Sequence, residues 1–148
     1  FFLNNMNKSS FKYFYTLRVR YAEVDAQGIV FNAHYLTYFD CAITEYYREI
    51  KYDYYKEVKK SKKDFHVIKT ILNYKKPILF DQKIDIGVQV ANIGKSSLTF
   101  ELSIFNNESK DLLAYGSIIQ VYTDQIKKCS TPLTKEFILK IKKFENNL

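Results

Sequence analysis

The stretch from Asn32 to about Ile50 places Tyr35, Leu36, Phe39, Ala42, Ile43, Tyr46 and Tyr47 at helical spacing, so little of its circumference is polar. A surface helix needs only one apolar stripe. A helix that is apolar on most faces has to be wrapped by other elements, and this restricts the fold more than any other feature. The rest of the chain supplies the wrapping. From Lys12 to Tyr21, Tyr13, Tyr15, Leu17, Val19 and Tyr21 recur with a period of two, which predicts a strand. Val67 to Tyr74 is a second candidate, and Ile84 to Val90, Leu98 to Ile104 and Leu112 to Tyr122 alternate or run apolar as three more. Ile93-Gly94-Lys95-Ser96 is a tight connection, and Asn106 to Asp111 is a turn-rich one. Thr131-Pro132 predicts the start of a last helix with an apolar stripe of Phe137, Ile138, Ile141 and Phe144. One enclosed helix plus a run of antiparallel strands predicts an α+β fold with the sheet curled around the helix.

At 148 residues one domain is expected, over 12–148, with residues 1–11 a flexible N-terminal extension. Phe1 to Asn5 read as upstream sequence, with Met6 a natural start; Phe1-Phe2-Leu3 is too short for a signal-peptide core. No 18-residue apolar run exists to span a membrane. Two cysteines, Cys41 and Cys129, make neither a disulfide framework nor a metal spacing, so reduced thiols and a cytoplasmic location are expected. The net charge of +7 raises nucleic acid as a partner, but of 23 basic residues only Arg18, Arg20 and Arg48 are arginine. Base-edge readers favour arginine, so no nucleic-acid partner is expected. The Lys56, Lys59, Lys60, Lys62, Lys63 run reads as a solvated helix end or loop.

Chemistry concentrates between Tyr21 and Tyr35. Asp25 precedes a turn containing Gly28, and the turn feeds the start of the apolar helix. The first amides of a helix lack internal partners and sit at the positive end of its dipole, so they can stabilise an oxyanion. A carboxylate just upstream can act as base or nucleophile. The same residues also suit an ordinary turn hydrogen bond from Asp25, and spacing alone does not separate the two. Glu23, two positions before, reads as solvated, and Glu45 as paired with Arg48 at i+3. Cys41 lies seven helical residues from His34, about 10.5 Å at about 1.5 Å per residue, too far for a nucleophile–base pair; it reads as a small core residue. His34 and His66 have no metal-binding spacing.

The pattern Asp25-x-x-Gly28-Ile29-Val30-Phe31-x-x-x-Tyr35 resembles the signature of the hot-dog-fold thioesterases of the 4-hydroxybenzoyl-CoA thioesterase class, nearest the Tol–Pal-cluster acyl-CoA thioesterases (YbgC type). Arg18 to Tyr21, Ala42 to Glu45, Tyr74 to Asp81 and Gly94 to Leu98 extend the resemblance over roughly Lys12 to Thr123. It implies a hot-dog fold of about five strands around a long helix. It also implies hydrolysis of an acyl-CoA or aroyl-CoA thioester, with CoA entering as part of the substrate and no metal or other cofactor. Asp25 would be the catalytic carboxylate, and the Asn32 backbone N–H would polarise the carbonyl with the Ala33 and His34 amides close by. Tyr35 would line the acyl channel, with Gly28 and Val30 beside the substrate. Lys95 and Ser96 match hairpin positions that touch the CoA phosphates, with Lys127 and Lys128 as a second basic contact. The chain departs from many YbgC-type sequences in having Asn32 where they have histidine; His34 stands two positions later. Chains of this family pair edge to edge, so a homodimer or a tetramer of two dimers is implied. An acyl carrier protein is a further partner to consider, and a non-catalytic carrier or CoA-ester binding role is the alternative to hydrolysis. Dehydratases of the same fold carry a histidine-plus-acidic helix signature absent here.

Overall fold

In the computed structural model, which describes residues 7–146, the apolar stretch forms a 16-residue helix, α1 (His34–Glu49). Tyr35, Tyr38, Phe39, Ala42, Ile43, Tyr46 and Tyr47 are buried along it. Around it lie β1 (Tyr13–Arg18), β2 (Lys63–Tyr74), β3 (Lys83–Ile93), β4 (Ser97–Asn106), β5 (Leu112–Asp124) and the two-residue β6 (Cys129–Ser130). All pairings are antiparallel, in the order β1-β3-β4-β5-β2 with β6 on β5. Alternate residues Ile84, Ile86, Val88 and Val90 of β3 and Leu98, Phe100, Leu102 and Ile104 of β4 join α1 in one core. Full burial of such a side chain contributes about 1.5–3 kcal/mol, and the sheet covers the apolar face of α1 while Leu36, Thr37, Asp40, Arg48 and Glu49 stay exposed on the other. This is the wrapped-helix α+β architecture predicted from the sequence.

Burying tyrosines brings their hydroxyls along, and each needs an acceptor. Tyr46 donates to Glu145 Oε1 at 2.6 Å, and the same oxygen accepts the Val90 amide at 2.9 Å. Glu145 ends α3 (Lys135–Glu145), so this buried carboxylate joins α1, β3 and the C-terminal helix. Tyr47 donates to Gln120 on β5 at 2.8 Å, and Tyr38 to Glu23 at 2.8 Å. Burial pushes all three phenols well above their ordinary range, so they remain donors.

Several boundaries differ from the sequence prediction. The first strand stops at Arg18, not Tyr21, because Tyr21–Glu23 forms a 3-10 turn. The second strand starts at Lys63, four residues before Val67. The lysine run, expected as a helix end or loop, is mostly a short helix, α2 (Tyr54–Ser61), capped by Asp53 accepting from the Lys56 amide at 3.2 Å. The last helix begins at Lys135 under a Thr134 cap, not at Thr131-Pro132. The Thr131 and Leu133 amides are instead spent on the Tyr122 and Lys95 carbonyls, which holds that segment extended. Cys41, expected in the core, is only half-buried. Among the described residues, no helix is long and apolar enough to cross a membrane.

The sheet's outer face carries a second cluster. Phe11 is buried against Phe14 and Phe105, with ring centroids at 5.9 and 6.1 Å. It lies on Gly87, where an added Cβ would come within 2.6 Å of the ring. Asp85 beside it is buried and accepts from Thr16 Oγ1 at 2.6 Å, from Asn107 Nδ2 at 2.9 Å and from Lys8 Nζ. Residues 7–11, predicted as part of a flexible extension, are thus docked on the domain by Lys8 and Phe11. Residues 1–6, including Met6, lie outside the described residues. Burial alone would raise the Asp85 carboxyl, but Lys8, Thr16 and Asn107 outweigh it and hold it below the usual carboxylate range. A carboxyl lowered in the folded state adds stability above its unfolded pKa and loses it as pH falls through the folded value. Asp85→Ala is therefore expected to cost about 2–4 kcal/mol in urea unfolding at neutral pH. The difference from wild type should shrink in the acid range where wild-type Asp85 takes up its proton.

Candidate active site

After β1 the chain turns through Tyr21–Glu23 and makes a small hairpin. Its base is the Phe31 amide on the Glu23 carbonyl (2.9 Å), followed by a Val24–Val30 bridge and the Asp25 amide on the Ile29 carbonyl (2.9 Å). Asp25 to Gly28 form the tip, closed by the Gly28 amide on the Asp25 carbonyl at 2.9 Å. Gly28 has φ of +75°, and nothing lies within 4 Å of a Cβ placed there, so the requirement for glycine is conformational. The hairpin is lashed to the segment after β2 by the Val30 amide on the Ile78 carbonyl (2.8 Å) and an Ile29–Leu79 bridge.

Asp25 stands at the hairpin tip with one carboxylate oxygen engaged. Its Oδ1 accepts the Gln27 amide at 2.8 Å, the expected turn bond, while among the described residues no donor reaches Oδ2. The helix begins two residues later than predicted: Ala33 occupies the N-cap, and the His34 amide is bonded to the Phe31 carbonyl at 2.9 Å. Asn32 therefore lies in the turn just ahead of α1.

Asp25, Val30, Asn32 and Tyr35 line one open cleft of about 800 Å³. Its other wall comes from Tyr74, the last paired residue of β2, and from Lys75, Lys76 and Pro77 just beyond it. Tyr35 is buried edge-on to Tyr74 (centroids 4.9 Å, 80° between planes), and the Tyr74 hydroxyl donates to the Asn32 carbonyl at 3.3 Å. Burial raises the Tyr35 phenol above its ordinary value against a hydrogen bond from the Ile78 backbone. Tyr74 is a lining residue not expected from the sequence. The signal available was its position at the head of the matching Tyr74 to Asp81 segment.

The remaining candidates lie elsewhere. Gly28 lines an adjoining hollow with Tyr21 and Phe80. His34 is half-buried against the Phe31 ring at 6.1 Å and does not line the cleft. Lys95 and Ser96 lie between β3 and β4, where their carbonyls accept from Leu133 and Tyr122. Lys127 lies in the turn after β5, its amide on Asp124 Oδ1 at 2.9 Å. Tyr74 pairs with Ala114 and Ser97 with Val121, seven residues along β5. At about 3.3 Å per residue that is roughly 23 Å, so one chain does not bring these lysines to Asp25. Glu23 is a correction: it is 6% exposed, not solvated, because Tyr38 (2.8 Å), the Arg20 amide (2.8 Å) and Arg20 Nε (2.9 Å) all donate to its carboxylate. Burial would raise that carboxyl, but the Arg20 amide, Tyr38 and the Arg20 guanidinium together hold it below its ordinary value. Glu45 is paired with Arg48 as expected.

Residues 27–113 match the family model described as Thioesterase superfamily. The chain belongs to that superfamily. Asp25 precedes the matched span by two residues. The acyl-CoA thioester hydrolase YbgC of Escherichia coli O6:H1 is 27% identical over 137 residues, covering 93% of this chain and 99% of that protein. Among solved structures, the DHNA-CoA thioesterase of Staphylococcus aureus superposes with a TM-score of 0.83 at 22% identity, covering 90% of each chain. The protein SAV2348 of Staphylococcus aureus, solved in complex with CoA, gives 0.83 at 14% identity, covering 90% of this chain and 84% of that one. This thioesterase has the hot-dog fold. At the hairpin tip of the enzyme, Gly28→Ala meets no steric clash, and its expected effect is the positive-φ strain alone, about 1 kcal/mol in chemical denaturation.

Proposed function

We propose that this thioesterase hydrolyses an acyl-CoA or aroyl-CoA thioester to CoA and a carboxylic acid, using Asp25 and the amides of the turn that opens α1. The observation that carries the proposal is the common cleft: Asp25, Asn32 and Tyr35 line one cavity although they belong to a hairpin tip, a turn and a helix. The thioester carbonyl oxygen would sit on the Asn32 and Ala33 amides, where positive partial charge favours a developing oxyanion. Asp25 would then attack the carbonyl carbon and expel the CoA thiolate, leaving a mixed anhydride that water cleaves to the carboxylic acid and free Asp25, or it would take a proton from a water that attacks the carbonyl directly and expels the thiolate. The names of the E. coli and S. aureus relatives support an acyl-CoA or aroyl-CoA substrate.

Asp25→Asn is expected to lower kcat by about 10²–10⁴-fold while circular dichroism and oligomeric state stay unchanged. Near-wild-type CoA release from that variant would remove Asp25 from the chemistry, and binding without turnover across a panel of acyl-CoAs and aroyl-CoAs would assign a carrier role instead. The proposed chemistry uses only a carboxylate and backbone amides, with CoA arriving as part of the substrate, so prior treatment with a chelator is expected to leave kcat unchanged.

The proposal includes a homodimer, with a tetramer of two dimers as a larger form. Among the described residues β2 is paired only with β5, so it forms an edge of the sheet, and it exposes Val67, Ile68 and Ile71, a surface that ordinarily needs cover. Antiparallel pairing of two β2 strands about their centres would set the Tyr74 end of one beside the Lys63 end of the other. Lys63 pairs with Asp124, so this pairing would bring Lys95, Ser96 and Lys127 of a second copy towards the Asp25 cleft, where lysines can hold the CoA phosphates. His34 remains a candidate substrate contact on the same terms. Ile68→Lys is expected to yield a monomer in sedimentation and to reduce turnover with it; an active monomer would overturn the shared site. The exposed lysines of α2 are the surface on which an acidic acyl carrier protein would dock.

A further inference from the structure

The proposed chemistry leaves one buried ionisable group near the cleft unused. Glu23 stands at the base of the Asp25 hairpin, its carbonyl receiving the Phe31 amide at 2.9 Å. Its carboxylate reaches away from the hairpin, where Oε2 accepts the Tyr38 hydroxyl at 2.8 Å and the Arg20 amide at 2.8 Å. Oε1 accepts Arg20 Nε at 2.9 Å, and the Arg20 guanidinium completes an ion pair at 2.8 Å. Tyr38 is 2% exposed and lies one turn above His34, on the first part of α1. The two halves of the proposed site belong to different segments, the carboxylate to the hairpin and the oxyanion amides to the helix start. The chain between Phe31 and His34 is a turn closed by the His34 amide on the Phe31 carbonyl.

We infer that Glu23 is a positioning residue for Asp25, locking the hairpin that carries it to α1 through Tyr38. This rests on the thioesterase reading of Asp25. Proximity catalysis is steep in geometry, and a shift on the order of 1 Å costs about 10²-fold. A hairpin joined to the helix only through its own chain and the Ile78 segment would lose that register without leaving the fold.

The same helix supplies the control. Tyr46 makes a matching bond to a buried carboxylate, Glu145 at 2.6 Å, but ties α1 to the C-terminal helix and β3. Tyr38→Phe and Tyr46→Phe each delete one buried hydroxyl donor and keep the ring. If the Tyr38 tie were only structural, both variants would lose stability and keep kcat alike. The expected result is that both lower the unfolding midpoint, while Tyr38→Phe alone lowers kcat, by about 10- to 100-fold, with KM within about threefold. Glu23→Gln is expected to lower kcat likewise. The double variant Glu23→Gln with Tyr38→Phe is expected to lose little beyond the worse single one, because both cut the same tie. Equal kcat for Tyr38→Phe and Tyr46→Phe, or multiplicative losses in the double variant, would overturn the positioning role while Asp25→Asn still reports on the thioesterase reading. Absence of wild-type turnover on every acyl-CoA would overturn both. Should Glu23→Gln fail to fold, the Tyr38→Phe against Tyr46→Phe comparison decides the matter.

Discussion

The enclosure of α1 is the constraint on which the rest of the structure depends. A helix bearing four buried tyrosines cannot be covered by apolar side chains alone, because a phenol hydroxyl without an acceptor costs about 1–3 kcal/mol. Three of those hydroxyls end on Glu23, Glu145 and Gln120, which come from the segment after β1, from α3 and from β5. No buried side-chain polar atom among the described residues is left without a partner. The polar ties therefore do what apolar burial does not. They fix the rotation of the helix inside the sheet and the place of each element against it.

That fixed rotation decides what stands beside the start of α1. With Tyr38, Tyr46 and Tyr47 committed, the N-terminal turn of α1 emerges beside the hairpin and the end of β2. Tyr35 and Tyr74 pack edge to face there, between the Asp25 tip and the Lys75-Lys76 wall. The positive charge is distributed unevenly in its use. Lys8 is spent on Asp85 and Lys12 on the carbonyls at the end of α3, so they hold the domain together. Lys95 and Lys127 stand instead at turns at the opposite end of the sheet.

Local pattern was readable where the local environment repeats. The period of two in Ile84 to Val90 and Leu98 to Ile104 follows from one buried face per strand, and both strands stand where it put them. The Asp25-x-x-Gly28 turn was readable because a positive φ and a short side-chain acceptor are requirements of the turn itself. Glu23 was misread because its donors lie on Arg20 and on Tyr38, fifteen residues away in a different element. A short helix with lysine at three of its eight positions, as in α2, has no apolar stripe to announce it; its Asp53 cap was the one available sign.

The sequence by itself determined that a mostly apolar helix would be wrapped, that strands would do the wrapping, and that a carboxylate on a glycine turn would precede the helix. These are properties of neighbours in the chain, and periodicity and turn chemistry record them. Only the tertiary structure decided that Asp85 would be held by Lys8 across 77 positions and Tyr46 by Glu145 across 99. It also decided that Tyr74 would close the Asp25 cleft and that Lys95 would stand at the other end of the sheet. The physical reason is that the energy of a buried charge or hydroxyl depends on which groups the fold carries to it, and no local pattern encodes that distance.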